Sequence, residues 1–228
     1  MKLILTCEHA GNDIPQPYNK YFYNEKVLNT HRAYDLGALD VFQSLKPLAD
    51  NSFYSTVSRL FIELNRSLHH RQLFSEFMKD VSKSQKEDII STYYLPYRTA
   101  AEKEIRGYIK ADQTVLHLSI HSFTPELNGV ARKADIGLLY DSTNQAERKF
   151  CKALKAELMV LNPDLIVRFN YPYLGKADGF TSYLRKQFTA QYLGIEIEVN
   201  QKFAVNSIMN PKISQLHYTA ITNIKTKY

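Results

Sequence analysis

Two stretches decide how this chain reads: Lys2-Leu-Ile-Leu-Thr-Cys-Glu-His9-Ala-Gly-Asn-Asp-Ile-Pro15 and Thr114-Val-Leu-His-Leu-Ser-Ile-His121-Ser-Phe-Thr-Pro125. In each, a short apolar, β-rich run delivers an imidazole to its C-terminal end, and Gly or Pro then breaks the strand. In open α/β sheets, binding and chemistry collect at the strand C-termini. Two imidazoles meeting there point to a metal centre. Two unrelated histidines, one of them a hydrogen-bonded core residue, would leave the same sequence.

Outward from these runs, short apolar segments alternate with longer amphipathic ones, the pattern of an α/β protein. Strands are expected at Leu3–Cys7, Phe53–Val57, Val115–Ile120, Asp135–Tyr140, Leu165–Phe169 and Leu193–Val199. A helix is expected over Lys26–Leu48, where Leu28, Leu36, Leu39, Phe42 and Leu45 can share one stripe. Tyr94–Lys110 and Asn144–Leu161 read similarly, the latter with Ser142 as a cap. A last helix begins near Pro211, a residue favoured in a first turn. The polar stretch from His69 to Glu87 reads as a surface excursion with a short helix, or as a lid. Strands on both sides of it favour one domain over residues 1–228.

The 228 residues suffice for one large domain, and 44% apolar with 23% charged residues is ordinary for a globular chain. No run is long and apolar enough for a membrane span, and the N-terminus reads as a first strand, not a signal peptide. The expected compartment is the cytoplasm, with no membrane partner. The net charge of +6 is spread along the chain, and the isoelectric point is near 9.1. Sixteen Tyr and twelve Phe form no RNA-stacking motif. An enzyme with an anionic substrate fits this better than a nucleic-acid binder. Cys7 and Cys151 are too few for a disulfide framework or a thiolate zinc site.

Two imidazoles need a carboxylate to complete a three-ligand catalytic site. No Glu follows His9 at the short spacing of zinc peptidases; Asn12 and Asp13 stand there. Asp35, in His31-Arg-Ala-Tyr-Asp35-Leu-Gly-Ala, is the leading candidate, with helix-terminus electrostatics as its plain alternative. Asp13 and Glu8 are the substitutes. In Ser58-Arg59-Leu-Phe-Ile-Glu63-Leu-Asn65-Arg66, a guanidinium with an adjacent amide can fork onto a carboxylate. The plain alternative is a surface ion pair of Glu63 with an Arg. In Gly194-Ile-Glu196-Ile-Glu198-Val-Asn-Gln201, both acids project to one strand face. That face borders a polar cleft, or the strand is an exposed edge.

Cys-Glu-His9-Ala-Gly-Asn, Tyr-Asp35-Leu-Gly-Ala, Ser-Arg59, Asn65-Arg66, Ile-His121-Ser-Phe, Ala134-Asp-Ile-Gly-Leu-Leu-Tyr140 and Glu196-Ile-Glu198-Val-Asn-Gln together resemble the N-formylglutamate amidohydrolase family. The resemblance keeps its order over most of the chain. It implies a three-layer αβα sandwich with a mixed central sheet, phosphorylase/hydrolase-like and akin to zinc-dependent exopeptidases and aspartoacylase-like deacylases. It also implies roles. His9 and His121 match the histidine ligands of a zinc ion, and Asp35 is taken with them. Asn65-Arg66 is similar to the pair that holds a substrate carboxylate. Arg59 is similar to the Arg that polarises the scissile carbonyl, and Glu198 looks like the general base and acid. Asn12 departs from the pattern, because the wider group places a Glu ligand there. It is grouped with the substrate-binding residues, and the third metal ligand stays open among Asp35, Asn12, Asp13 and Glu8.

The implied activity is hydrolysis of a small, carboxylated N-acyl amino acid by metal-activated water. Zinc suits histidine ligation and hydrolysis, although other divalent ions take the same ligands. A metallopeptidase or cell-wall amidase with the same site is the enzymatic alternative. A basic binding module is the non-enzymatic one.

Overall fold

The computed structural model describes residues 1–23 and 25–225. In chain order the elements are β1 (Lys2–Cys7), α1 (Ala38–Leu45), β2 (Asn51–Tyr54), α2 (Lys83–Ile89), α3 (Leu95–Lys110), β3 (Val115–Phe123), β4 (Glu126–Leu127), β5 (Val130–Ala131), β6 (Ile136–Leu139), α4 (Gln145–Leu161), β7 (Val167–Phe169), α5 (Phe180–Gln187), β8 (Tyr192–Asn200), β9 (Ala204–Val205), β10 (Ile208–Met209) and α6 (Pro211–Lys225). Six strands form a mixed sheet in the order β2-β1-β3-β8-β6-β7. β2, β1, β3 and β8 run parallel, and β6 turns antiparallel against β8. Helices α1, α4 and α6 pack on one face, and α3 and α5 on the other. The result is an α/β fold with a mixed central sheet between helical layers. None of the described helices is long and apolar enough to cross a membrane.

Strand alternation divides the two faces by chemistry. On β1, β3 and β8 one face carries Leu3, Leu5 and Cys7, then Leu116, Leu118 and Ile120, then Leu193, Ile195, Ile197 and Val199, all in the main core with α1, α4 and α6. The period of two sends Thr6, His117, Ser119, His121, Gly194, Glu196 and Glu198 to the opposite face. There the apolar cluster of Ile4, Val115, Phe180 and Tyr192 occupies only the N-terminal end of the strands. The C-terminal end of that face is therefore polar yet buried, and its groups must find partners within the protein.

All six expected strands form, with shifted ends. β2 starts at Asn51 instead of Phe53 and ends at Tyr54, because it pairs with Ile4 to Cys7 of β1 and those partners run out at Tyr54. β3 continues past Ile120 to Phe123, so His121 lies within the strand, paired with Glu198. His9, by contrast, sits in the turn two residues beyond β1.

The helix expected over Lys26–Leu48 is a misreading. Only Ala38–Leu45 is α-helical, with 3-10 turns at Glu25–Asn29 and Lys46–Leu48. Gly37 stops the helix at a φ of 76°, a conformation that favours glycine. A side chain there would also press on Met209. The apparent stripe is split between two cores: Phe42 and Leu45 join the main one, whereas Leu28 packs on a second cluster around Phe61, Ile62 and Leu64. Asn144, not Ser142, caps α4, its Oδ1 accepting from the Ala146 and Glu147 amides at 3.0 and 3.2 Å. Its position immediately before the first helical residue brings its oxygen within reach of those orphan donors, whereas Ser142 lies two residues too early. The 69–87 stretch is anchored: Leu73, Met78 and Val81 are buried in the second cluster, and a capping box between Ser82 and Gln85 starts α2.

Candidate metal centre

The turn after β1, the loop before α1 and strand β3 meet at one point. The Asp35 amide donates to the His9 carbonyl at 3.0 Å, which ties the loop to the turn. Asp35 Oδ2 then lies 3.3 Å from His9 Nδ1 and 2.9 Å from His121 Nδ1. The two rings stand 5.1 Å apart, tilted by 54°. All three residues are buried. His9, Asp35 and His121 each offer one ligand atom, all within 4.8 Å of one another, so the group could hold a metal ion.

The chemistry of the donor set fits an ion. The far nitrogen of each ring meets a carboxylate: His9 Nε2 contacts Glu63 Oε1, and His121 Nε2 lies 3.2 Å from Glu8 Oε2. An Nε2–H donated outward fixes the tautomer whose Nδ1 lone pair points inward, the usual second-shell arrangement at metal-bound histidines. Without an ion, both Nδ1 atoms crowd one carboxylate oxygen and must carry protons to do so. Burial opposes the imidazolium of His121, but Asp35 and Glu8 outweigh it and hold the pKa well above the usual histidine range. Burial and Arg59 likewise oppose protonation of His9, yet Glu63 and Asp35 raise it. Asp35 is held well below the ordinary carboxylate range, where Arg59 and His9 overcome its burial.

Glu8 and Glu63 are themselves braced. Ser119 Oγ donates to Glu8 Oε2 at 2.7 Å and Tyr97 OH to Oε1 at 3.2 Å. Glu63 accepts from the Asn65 amide at 3.0 Å and from Arg59 Nε at 3.1 Å. Glu8 is among the sequence's alternative third ligands, and a surface ion pair with an Arg is its plain reading of Glu63. The pair with Arg59 exists, but Glu63 is buried and reaches His9 as well. A sequence signal was present: a lone carboxylate in Leu60-Phe-Ile-Glu63-Leu is costly to bury without such partners. Asp13 is exposed. Asn12 does not join the cavity; its Nδ2 donates to the Leu28 carbonyl at 2.8 Å, and it lines a separate hollow with Asn19 and Phe22. Asn12, expected among the substrate-binding residues, is held at the 3-10 turn of residues 25–29, where the turn after His9 carries it.

A cavity of about 160 Å³ opens beside the cluster, lined by His9, Asp35, Arg59, Asn65, His121, Glu196 and Glu198, among others. β8 lies between β3 and β6 in the sheet, so the exposed-edge reading of its two acids is excluded. The acids differ. Glu196 Oε1 accepts from Thr181 Oγ1 at 2.7 Å. Glu198 Oε2 is buried and has no hydrogen-bond partner among the described residues. Burial pushes the Glu198 pKa up to about 7, with Asp35 and Glu196 adding to it and His121 and Arg59 opposing. A carboxyl poised near neutrality can take and return a proton.

Arg59 is fixed by two carboxylates, Nη1 to Asp35 Oδ1 at 3.0 Å and Nε to Glu63. Asn65 Oδ1 accepts from the Phe180 amide at the start of α5, at 2.7 Å, and its Nδ2 lies 3.4 Å from His121 Nε2. Arg66 Nη1 donates to the Asp178 carbonyl and lines the cavity mouth. Arg98 carries this loop. It is buried among the rings of Tyr94, Phe180 and Tyr183 and donates to the Leu64 and Arg66 carbonyls at 2.9 and 3.2 Å. Its place on α3, distant in sequence, gave no sign of that.

A model of the family described as N-formylglutamate amidohydrolase matches residues 1–205. Comparison with curated proteins gives no match. Among solved structures, the gene product Atu2144 from Agrobacterium tumefaciens superposes with a TM-score of 0.79 at 26% identity, over 98% of this chain and 92% of that one. An N-formylglutamate amidohydrolase from Ralstonia eutropha JMP134 superposes with a TM-score of 0.71 at 15% identity, over 100% of this chain and 95% of that one, a likeness of fold. With most of its length matched by the family model, the chain belongs to the N-formylglutamate amidohydrolase family.

Proposed function

We propose that this protein is a metal-dependent amidohydrolase that splits the acyl–nitrogen bond of a small N-acyl amino acid, of which N-formyl-L-glutamate is the leading example. One observation carries the reading: a partnerless buried carboxylate, Glu198, opens onto the same cavity as three convergent metal donors. His9, Asp35 and His121 would hold the ion, and zinc suits two imidazoles with one carboxylate. When bound, the ion supplies a Lewis acid that acidifies water and polarises an acyl carbonyl.

The chain's own groups do the rest. Glu198 takes a proton from the attacking water as its oxygen bonds the acyl carbon, then gives that proton to the departing nitrogen as the C–N bond breaks. The products are the free acid of the acyl group and the free amino acid. Arg59, held on two sides by Asp35 and Glu63, steadies the oxyanion that develops at the carbonyl. Asn65 and Arg66 at the mouth orient the substrate carboxylate. The test is elemental analysis of purified protein, followed by chelation and metal add-back against a panel of N-formyl and N-acetyl amino acids. Stoichiometric metal and metal-restored turnover of carboxylated members are expected. A metal-replete protein that turns over none of them overturns the reading.

A further inference from the structure

The catalytic cavity is small, and it is not closed. Beside it lies a groove of about 960 Å³, and Arg59 and Arg66 line both hollows. Ligand sites commonly span roughly 300–1,000 Å³, so the 160 Å³ cavity accommodates only the reacting end of a substrate. The floor of the groove is the 69–87 stretch together with the second apolar cluster.

The charge of this groove is lopsided. Two carboxylates line it, and both are engaged: Glu63 with His9 and Arg59, and Glu76 with Arg32. The cations Arg66, Arg71, Lys79 and Lys86 also line it, and among the described residues none of them has an ion pair. Arg71 and Lys79 are exposed, while Lys86 lies over the Phe74 ring at 5.7 Å. Four unneutralised cations around one concave surface attract an anion and disfavour another cation.

We propose that the groove is the outer half of the substrate site, and that the substrate carries a further anionic unit beyond the carboxylates of the N-acyl amino acid seated at Arg66. The substrate class is an N-acyl amino acid extended through its side chain by an acidic unit, carboxylate or phosphate. This rests on the amidohydrolase reading above. N-formyl-L-glutamate brings only two carboxylates to these four cations, whereas an extended acid brings at least three and engages both halves of the site.

The test uses three compounds and one variant. The compounds are N-formyl-L-glutamate, N-formyl-γ-L-glutamyl-L-glutamate, and the counterpart of the latter whose second residue carries carboxamides. All three keep the α-carboxylate. The extended acid should exceed its neutral counterpart in kcat/KM by about tenfold, the scale of two screened charge contacts. That preference should shrink with salt and vanish in Arg71→Ser/Lys79→Ser, with N-formyl-L-glutamate unaffected. Equal kcat/KM for the two extended compounds, while N-formyl-L-glutamate is hydrolysed, overturns the groove and leaves the amidohydrolase standing. Calorimetry on the Glu198→Gln protein reads binding without turnover. Tighter binding of the extended acid, lost in the double variant, supports the groove even if no compound is hydrolysed; equal binding overturns it. Competition by the triglutamate peptide and by inorganic tripolyphosphate separates the anions. Displacement of the extended acid by either supports the groove, and displacement by neither overturns it.

Discussion

Glu196 and Glu198 are two residues apart on one strand face, and their surroundings separate them. The hydroxyl of Thr181 occupies Glu196, while Glu198 keeps an unpartnered buried oxygen. Glu198→Gln should therefore leave metal content unchanged and lower kcat by on the order of a hundredfold to ten-thousandfold. Burial raises the Glu198 pKa to about 7, and a bound cation at Asp35 and His121 would pull it down. The acidic limb of the kcat profile, where rate rises with pH as the base deprotonates, should then lie at or below pH 7. A limb that survives in the Gln variant moves the base elsewhere. At the candidate metal cluster the residue to test is Glu63, which contacts His9 Nε2. Glu63→Gln keeps the shape but weakens that hold, and metal affinity measured by competition with a chromophoric chelator should drop roughly 10–100-fold. Affinity equal to wild type would make Glu63 a brace for Arg59 and the Asn65 amide and not for a bound ion.

At the scale of elements, β3 and β8 were legible because strand periodicity is local: Leu116 to His121 alternates apolar and polar, and so does Leu193 to Val199. The convergence of His9 with His121 was legible for the same reason, as parallel strands align their C-terminal ends. The long helix from Lys26 failed because helical spacing cannot tell one stripe from two short ones facing different cores, and only the backbone at Gly37 decides. The Glu63 pair with Arg59 was legible at four residues' spacing, but its reach to His9 and the hold of Arg98 on the Leu64 and Arg66 carbonyls were not, because those partners lie far away in sequence. His117 was likewise passed over. Thr6 Oγ1 and Tyr192 OH flank its ring nitrogens at 2.7 Å each, and burial depresses its pKa to about 4. Its ordinary value is 6.5, so below that pH the unfolded chain takes a proton that the folded chain refuses. Stability must fall as pH drops from about 6.5 to about 4, by on the order of 3 kcal/mol in all. Denaturant unfolding of His117→Gln against wild type should show a flatter slope over this window. Identical slopes would mean that His117 protonates freely in the fold.

For the whole molecule, the two faces of the sheet divide the labour. One face with α1, α4 and α6 holds the largest core, and a second cluster around Phe61 supports the groove, and neither includes the candidate donors His9, Asp35 and His121. Removing an ion should therefore cost stability without unfolding the chain, unlike small zinc domains whose fold is the metal site. An ion at about a thousand times its Kd adds about 4 kcal/mol. For a chain of this size that is roughly 8–16 °C in Tm, at about 2–4 °C per kcal/mol. Chelation should lower Tm by that much while far-ultraviolet circular dichroism at 25 °C stays unchanged. The loss should be smaller in acid, because the ion competes with the protons that Asp35, Glu8 and Glu63 stabilise on His9 and His121. The gain in Tm on adding metal should thus grow with pH. A Tm that neither chelator nor added metal changes, at any pH, would leave the His9, Asp35 and His121 cluster as a buried charge network and nothing more.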